Sequence, residues 1–233
     1  MKKLKVVIKL MSVVFVSFLI FLLLNSIRIN QVTCENQYGK CGEMISSELE
    51  RTKDLNIISA RKKILTIISE SFLVKNYSLS YKLPAKYVVH LVERKPTFAL
   101  ENEISEKVAM VDNEGKVLGY SGGTTLPSVL VNYELPIPGE NVTNKELFSL
   151  KLVSQIYSIF KVDKSIIEKE GLTVYFNDGN RAIFPYEGDM KVLLGSLIII
   201  LNKTKDDESD FKANLERNEN IAIDLRYENP VIR

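Results

Sequence analysis

His90 is the only histidine in the sequence and the first candidate for a general base. A serine hydrolase holds a nucleophile, a histidine base and an orienting carboxylate in contact. His90 alternates with Val88 and Val92 in an apolar run, which is typical of a strand residue that packs or faces solvent. We therefore expect no catalytic role for His90.

Two groups of carboxylates could form an acid–base pair. They are Glu101, Glu103 and Glu106, and Asp206, Asp207 and Glu208. Both groups lie in polar, turn-like stretches, where solvated loops explain them. Gly122-Gly123 is too short for a phosphate cradle, which needs a glycine-rich loop that leads into a helix. We predict that the protein is not an enzyme and that it has no cofactor.

Cys34 and Cys41 are the only cysteines. In an oxidising compartment this spacing can close a small loop through a disulfide, which would stabilise a small core. The alternative is metal binding, but this would need two further ligands, and His90 lies far away in sequence. The spacing favours the disulfide, and we predict no metal site.

The charge balance argues against nucleic acid as a partner. The chain has 31 basic and 29 acidic residues, and four of the lysines lie before Arg28. The remaining 27 basic residues face 29 acidic ones, so the chain after the N-terminal stretch has no basic field to attract phosphates.

The N-terminal stretch 6–27 predicts a transmembrane anchor. Residues 10–24 carry no charge, four lysines precede them, and no acidic residue occurs before Glu35. About 20 apolar residues in a helix cross a bilayer, and a basic flank remains in the cytoplasm. A cleaved signal peptide is one alternative, but Leu24-Asn25-Ser26-Ile27 is a poor small-residue cleavage site. A buried core helix is another, but it would not normally be apolar on every side over this length. We predict a single-pass plasma-membrane protein with a cytoplasmic N-terminus and extracytoplasmic domains.

The region 28–96 predicts a compact α+β module. Alternating or apolar runs indicate strands near 29–33, 72–83 and 87–92, and helices are indicated at 43–52 and from Ser59 to about residue 70. The order β-α-α-β-β over about 70 residues is typical of an α+β domain.

The region 97–233 predicts a second domain of mixed strands and helices. Asp112-Asn113-Glu114-Gly115 indicates a hairpin, and Thr143 with Glu146 forms a capping box before an apolar stripe. Further strands are predicted near 166–167, 172–176 and 181–184, and a helix follows Asp189. The final strand alternates Ile221, Ile223 and Leu225 with polar neighbours.

Several segments in this order resemble the FtsQ/DivIB cell-division family. They are Tyr87 to Ala99 (YVVHLVERKPTFA), Met110 to Leu118 (MVDNEGKVL), Leu126-Pro127, Gly139, Asp178-Gly179 and Ile223 to Tyr227 (IDLRY). The resemblance implies a short cytoplasmic head (1–5), an anchor (6–27), a POTRA domain (28–96) and an FtsQ-type β domain with a curved, antiparallel-rich sheet (97–233).

The resemblance also implies a function without chemistry. Members of the family are scaffolds at the division septum that bind FtsB and FtsL and help to regulate septal peptidoglycan synthesis. The partner adds as a strand to the C-terminal edge, which corresponds here to 221–233. The partner-binding candidates are Ile221, Ile223, Leu225, Tyr227, Asn229, Val231, Ile232 and Arg233.

Strand addition has a physical basis at this edge. An unpaired edge offers N–H and C=O groups, and alternating side chains give specificity. Pro230 is tolerated at an edge but not in mid-sheet. The simpler interpretation is that 221–227 is only a core strand. We expect instead that the first half of this segment packs inside and that 229–233 faces a partner. Arg226 and Arg233 could meet acidic partner residues or be solvated.

The sequence departs from the family at the Cys34–Cys41 insertion and at a weak first helix, so POTRA-specific partners remain open. An alternative function is an exported, membrane-anchored POTRA protein with a chaperone or translocation role. A membrane-tethered hydrolase is a third hypothesis, which would require His90.

Overall fold

The computed structural model describes residues 11, 14–19, 26–105, 107–206 and 221–232. The chain divides into two compact units, one ending at Arg94 and the other beginning at Lys95. This division lies two residues before the boundary that the sequence predicts. Both units combine helices with β-sheets, so the chain is α+β with mixed sheets.

The prediction of a membrane-spanning anchor at 6–27 is wrong on the structural finding. Within the described ranges, no helix is long and apolar enough to cross a membrane. Crossing takes about 20 apolar residues in one helix, and the longest helix described has 17 residues. The predicted localisation as a single-pass plasma-membrane protein depends on this anchor and is therefore wrong on the same finding. Most of 6–27, and all of the predicted head 1–5, lie outside the described residues.

The first unit contains a four-stranded sheet. Its strands are β1 (Gln31–Asn36), β2 (Gly39–Lys40), β3 (Val74–Lys82) and β4 (Lys86–Glu93). The order across the sheet is β2-β1-β4-β3. β1 and β4 are parallel, and the other two pairs are antiparallel. The predicted order gains one strand, β2, because the cysteine loop forms a hairpin.

Two helices cover one face of this sheet. They are α1 (Glu43–Glu50) and α2 (Ile57–Glu70). Ala60, Ile64 and Ile68 are buried, and their spacing of four residues places them on one face of the helix. The N-cap of α2 is Asn56 and not the predicted Ser59, because the Asn56 Oδ1 accepts the Ser59 N–H at 2.8 Å. Asn caps satisfy such orphan donors as well as Ser does.

A disulfide joins Cys34 to Cys41 across the β1–β2 hairpin, with a Cα–Cα distance of 5.5 Å. Cys41 is buried in the core of the unit, beside the start of α1. The bond therefore ties the edge hairpin to the core, in a place where only two strand pairs, Glu35 with Lys40 and Asn36 with Gly39, hold β2.

The second unit is built on a nine-stranded mixed sheet. Its strands are β5 (Pro96–Asn102), β6 (Val108–Asp112), β7 (Val117–Ser121), β8 (Ser128–Val131), β9 (Val162–Ile167), β10 (Leu172–Phe176), β11 (Arg181–Phe184), β12 (Ala222–Asp224) and β13 (Val231–Ile232). The order is β13-β12-β11-β10-β9-β8-β5-β6-β7. The pairs β11–β12, β8–β9 and β5–β8 are parallel, and the remaining pairs are antiparallel.

Two helices, α3 (Asn144–Tyr157) and α4 (Met190–Asp206), supply apolar residues to the core of this sheet. The predicted capping box of Thr143 and Glu146 is present at the start of α3. Asp189 precedes α4, and its carboxylate accepts the N–H groups of Lys191 and Val192 at 2.8 and 3.4 Å. Both helix starts therefore follow the capping chemistry of the sequence.

Two strands in the middle of the sheet were not predicted. They are β5 and β8, which lie in stretches where the sequence patterns indicate no strand. Each pairs in parallel with a strand distant in sequence, β8 with β9 and β5 with β8. Local patterns carry no signal for such pairing.

Candidate partner-binding edge

The C-terminal residues form one end of the nine-stranded sheet. β12 pairs in parallel with β11, and β13 returns antiparallel to β12, with Ile223 opposite Ile232 and Asp224 opposite Val231. Beyond β13 no further strand is found in the described part of the chain. The outer side of β13 is therefore a sheet edge.

The predicted partner-binding residues divide between the core and the surface. Ile223 and Leu225 are buried, and Ile221 is half-buried against the same core. On the surface, Tyr227 is 55% exposed, Val231 38% and Ile232 53%, and Asn229 is also exposed. Arg233 lies outside the described residues. The side chains that can meet a partner are therefore those after Leu225.

The alternation of side chains along a strand places the buried residues of β12 and of the position after it. Ile223 and Leu225 point to the same face of the sheet and join the main core, while Asp224 points to the other face. Asn180 aligns the entry to the strand, because its Oδ1 accepts the Ile221 N–H at 3.1 Å. The Arg181 N–H donates to the Ile221 carbonyl oxygen at 2.9 Å.

Arg226 closes the turn between β12 and β13 through charge. Its Nε and Nη2 donate to the two carboxylate oxygens of Asp224 at 2.9 and 2.7 Å, and its Nη1 donates to Glu170 at 3.0 Å. The Asp224 side chain is buried, so this bidentate pair supplies its counter-charge. The hydrogen bonds to Asp224 and then to Glu170 raise the pKa of Arg226 above its ordinary value. The Arg226 guanidinium therefore binds carboxylates of its own chain, and it is neither available for a partner nor fully solvated.

Gly171 lets the β9–β10 loop approach this turn. A Cβ at Gly171 would lie 2.5 Å from the Phe184 carbonyl oxygen and 3.3 Å from the Arg226 Cδ. The Tyr186 hydroxyl donates to the Gly171 carbonyl oxygen at 2.9 Å and also to that of Glu168. Burial, followed by the charge of Glu168, raises the pKa of Tyr186. The close backbone contact requires a residue without a side chain.

The candidate base His90 lies on an exposed position of β4. Its Nδ1 is 3.5 Å from the Glu35 Oε2, and both side chains are about half exposed. Pairs of this kind at the surface contribute little to stability. No nucleophile contacts His90 in the described hydrogen bonds and ion pairs of the chain.

One serine motif of the kind found in hydrolases lies at the end of β7. Gly119-Tyr120-Ser121-Gly122-Gly123 matches the G-x-S-x-G pattern of hydrolases. That pattern needs a serine on a sharp turn from a strand into a helix. Here Ser121 ends β7, the chain continues to another strand, and the Ser121 Oγ donates to the Gly123 carbonyl oxygen at 2.7 Å. The motif therefore lacks the geometry of a nucleophile elbow.

The carboxylate groups also lack a catalytic arrangement. Glu101 and Glu103 lie at the end of β5 and just after it, and Asp206 ends α4. Glu106, Asp207 and Glu208 lie outside the described residues. Over the described ranges, no three His, Cys, Asp or Glu side chains are grouped as metal ligands. The best-formed surface for binding among the predicted ones is therefore the β13 edge.

In comparisons with known proteins, neither a family model nor a curated sequence matches the chain.

Proposed function

We propose that this chain is a non-enzymatic scaffold of the cell-division machinery. It binds FtsB-like and FtsL-like proteins by strand addition at the β13 edge and helps to regulate septal peptidoglycan synthesis. The observation that carries the proposal is the exposed edge at Val231–Ile232, at the end of the sheet order. The resemblance of the ordered sequence segments to the FtsQ/DivIB family supports the choice of machinery.

Strand addition at this edge needs a backbone that is already held in place. The Arg226–Asp224 pair holds the turn, and the pairing of β12 with β13 holds the strand itself. Ordering the edge before binding lowers the entropy cost of association. A partner strand can then pair with the outer backbone groups of β13.

Side chains on both faces of the edge give selectivity. Val231 and Ile232 are neighbours in a strand, so they point to opposite faces, and both are exposed. Tyr227 is exposed in the preceding turn, with the Arg226 guanidinium 5.9 Å from its ring centre. An apolar partner side chain on either face would bury surface that is now open to water.

The direct test is a double substitution on the edge. Val231→Asp with Ile232→Asp places two charges where a partner strand must pack, so pull-down of FtsB-like and FtsL-like proteins is expected to fail. Truncation after Tyr227, which removes β13, is expected to have the same effect. The control is Val192→Asp on α4, a position that is also exposed. Full binding by the double variant would remove the edge-strand mechanism.

The cellular test concerns the process itself. Depletion of the protein is expected to block septum formation and to produce filaments. Expression of the Val192→Asp variant should restore division in depleted cells, and expression of the double variant should not. Normal division after depletion would contradict the proposed function, whatever the pull-down shows.

A non-enzymatic role also predicts the result of a substitution at His90. His90→Ala should complement the depletion as well as the unsubstituted chain does, because His90 is exposed and paired only with Glu35 in the described contacts. A loss of complementation in a folded variant would favour the hydrolase hypothesis.

One observation favours a second candidate, a POTRA-type module with a chaperone or translocation role. β3 is nine residues long, lies at the edge of the four-stranded sheet and is largely exposed. A long, exposed edge can add an extended segment of an unfolded chain. This edge is considerably longer than β13.

Two tyrosines separate the candidates. Tyr77 on β3 is 46% exposed and Tyr227 near β13 is 55% exposed. If the scaffold function holds, Tyr227→Asp weakens FtsB-like binding and Tyr77→Asp does not. If the chaperone function holds, Tyr77→Asp abolishes the suppression of aggregation of an unfolded test protein, and Tyr227→Asp leaves it intact.

A further inference from the structure

The end of the nine-stranded sheet opposite β13 carries a groove with no assigned role. The groove lies between the end of β5, strand β7 and the segment after β8, and has a volume of about 420 Å³. Its lining includes Asn102, Ile104, Lys107, Tyr120, Tyr133 and Leu135. We name it the tyrosine groove. Its volume falls within the range of ligand-binding clefts in proteins.

A second hollow continues from the tyrosine groove. It has a volume of about 430 Å³, and it shares Asn102, Ser105 and Lys107 with the first. Glu101 and Gly123 also line it. The common residues place the two hollows side by side, so that neighbouring side chains of one extended segment could enter both.

The walls of the groove are held by hydrogen bonds. The Tyr133 hydroxyl donates to the Glu146 carboxylate, which also accepts the Thr143 N–H in the capping box of α3. The Tyr120 hydroxyl donates to the Pro136 carbonyl oxygen at 3.1 Å. Both rings are thus fixed at their polar ends and remain partly exposed.

The turn that borders the groove is held in the same way. The Asn102 Nδ2 donates to the Tyr133 carbonyl oxygen at 2.6 Å. Its Oδ1 accepts the N–H groups of Ile104 and Ser105 at 2.7 and 3.0 Å. A preformed site of this kind loses little entropy when it binds a ligand.

The apolar part of the groove is open to water. Ile104 is 87% exposed, Tyr120 42% and Tyr133 40%, and Leu135 is buried beneath them. An isoleucine with so little packing contributes almost nothing to the stability of the fold. Its burial by a partner would remove apolar surface from water, which favours binding. Clusters of exposed apolar residues with a polar rim are typical of interaction sites.

Among the described charged lining residues of the two hollows, two are acidic and one is basic. Glu134 lines the tyrosine groove, Glu101 lines the adjoining hollow, and Glu103 lies in the turn beside them. Lys107 is the single cation among the described lining residues, and its Nζ lies 5.8 Å from the centre of the Tyr120 ring. The rim therefore favours a cationic partner. Acidic rims repel nucleic acid and acidic peptides.

We propose that the tyrosine groove and the adjoining hollow bind an extended peptide segment of a partner protein, in which basic side chains alternate with apolar ones. The apolar side chains pack against Ile104, Tyr120 and Tyr133, and the basic ones pair with Glu101 and Glu134. Aromatic faces also attract lysine and arginine. This site is independent of the β13 edge, which lies at the other end of the sheet.

The test uses the full chain, labelled with ¹⁵N, and two synthetic octapeptides. One peptide alternates leucine with lysine, and the other alternates leucine with glutamate. The lysine peptide is expected to shift the amide signals of Ile104, Lys107 and Tyr120, and to bind roughly tenfold more tightly than the glutamate peptide at low salt. Signals of Val231 and Ile232 at the other end should not move.

Two exposed positions supply matched variants. Ile104→Asn is expected to weaken the binding of the lysine peptide by about tenfold, because less apolar surface is buried in the complex. Glu134→Gln should weaken it by about threefold, and only at low salt, because the rim is exposed. The control is Ile199→Asn on α4, whose side chain is also mostly exposed; it should have no effect.

Three results of the peptide titrations would overturn the proposal. They are equal affinity for the two peptides, the absence of shifts at millimolar lysine peptide, and shifts centred on β13 instead of the groove. A normal response of Ile104→Asn would also contradict it, since the variant removes the most exposed apolar contact. None of these results depends on whether the β13 edge binds a divisome protein.

Discussion

The two ends of the nine-stranded sheet are built differently. At the β7 end, the segment 137–141 lies along the outer strand: the Val117 N–H donates to the Glu140 carbonyl oxygen at 2.9 Å, and the Gly139 N–H donates to the Val117 carbonyl oxygen at 2.8 Å. At the β13 end, the outer strand has two residues, and the described chain places no strand beyond it. One end is partly covered by its own chain, and at the other end no described strand lies beyond β13.

This difference indicates two kinds of recognition in one sheet. Covering an edge removes the backbone groups that invite further strands. The β7 end therefore offers side chains, namely the tyrosine groove and its acidic rim. The β13 end offers backbone groups, and its short length limits unwanted pairing because few groups are free.

The two ends are also stabilised by different forces. Charge holds the β13 end, through Arg226 with Asp224 and Glu170. Turn geometry holds the β7 end: the Asp112 Oδ1 accepts the N–H groups of Glu114 and Lys116 at 2.9 and 2.8 Å. The following substitutions test whether the ends respond separately.

The largest effect is expected from Arg226→Met at the β13 end. The variant leaves the buried Asp224 carboxylate without its guanidinium, which costs roughly 3 kcal/mol of the free energy of unfolding. Hydrogen exchange of β12 and β13 amides should accelerate, while that of β6 and β7 amides stays unchanged. Adding Asp224→Asn should recover part of the loss. An unchanged stability would show that the charge pair is not what holds this end.

Gly171→Ala should come next. Its Cβ would meet the Phe184 carbonyl oxygen at 2.5 Å, a rigid backbone atom, so the loop must shift at a cost of about 2 kcal/mol. Urea denaturation measures the loss, with Gly123→Ala as control because nothing lies within 4 Å of that Cβ. Equal stability of the two variants would contradict the close approach.

Gly115→Ala tests the β7 end in the same way. Gly115 has φ +90°, which disfavours side chains, and its Cβ would lie 3.0 Å from the Val142 Cγ2. We expect a loss of about 1.5 kcal/mol, confined in hydrogen exchange to β6, β7 and the segment 137–141. Gly119→Ala in β7 is the control, since it meets no atom within 4 Å. Faster exchange at β13 would show that the ends are coupled.

Tyr133→Phe should have the smallest effect at neutral pH and a distinct pH dependence. It removes the hydrogen bond to Glu146 at a cost of about 1 kcal/mol. Burial, and then the hydrogen bond to Glu146, raise the pKa of Tyr133 above its value in the unfolded chain. The unfolded state therefore loses its phenol proton first, and stability falls as the pH rises above about 10.

Urea denaturation between pH 8 and pH 11 measures this dependence. The unsubstituted chain should lose more stability over this range than Tyr133→Phe does, because the variant lacks one phenol. Tyr186→Phe provides a comparison at the β13 end, where the pKa of Tyr186 is also raised by burial. Parallel pH profiles for the unsubstituted chain and Tyr133→Phe would contradict the role of Tyr133.

Local signals in the sequence predicted local structure well. The Asp112–Gly115 hairpin, the capping box at Thr143 and the helix after Asp189 all rest on contacts within a few residues. The N-cap of α2 was misplaced by three residues, since Asn56 and Ser59 are both good caps and only the structure shows which one accepts a hydrogen bond. The anchor prediction is contradicted, because no helix in the described ranges is long and apolar enough to cross a membrane.

Non-local contacts were beyond the reach of sequence patterns. β5 and β8 pair in parallel with each other, and β8 pairs with β9 across α3. Arg226 looked like a free surface charge, but its partners include Glu170, 56 residues away. The tyrosine groove joins residues from three separate segments, none of which forms a motif by itself.

By itself, the sequence determined the α+β class, the turn and cap positions, and the alternation that buries Ile223 and Leu225. These features depend on backbone geometry and on periodicity, which neighbouring residues encode. Only the tertiary structure decided which edge of the large sheet its own segment 137–141 covers, and which carboxylate Arg226 neutralises. Those outcomes depend on pairing between distant segments, and a chain pattern contains no information on which segments meet.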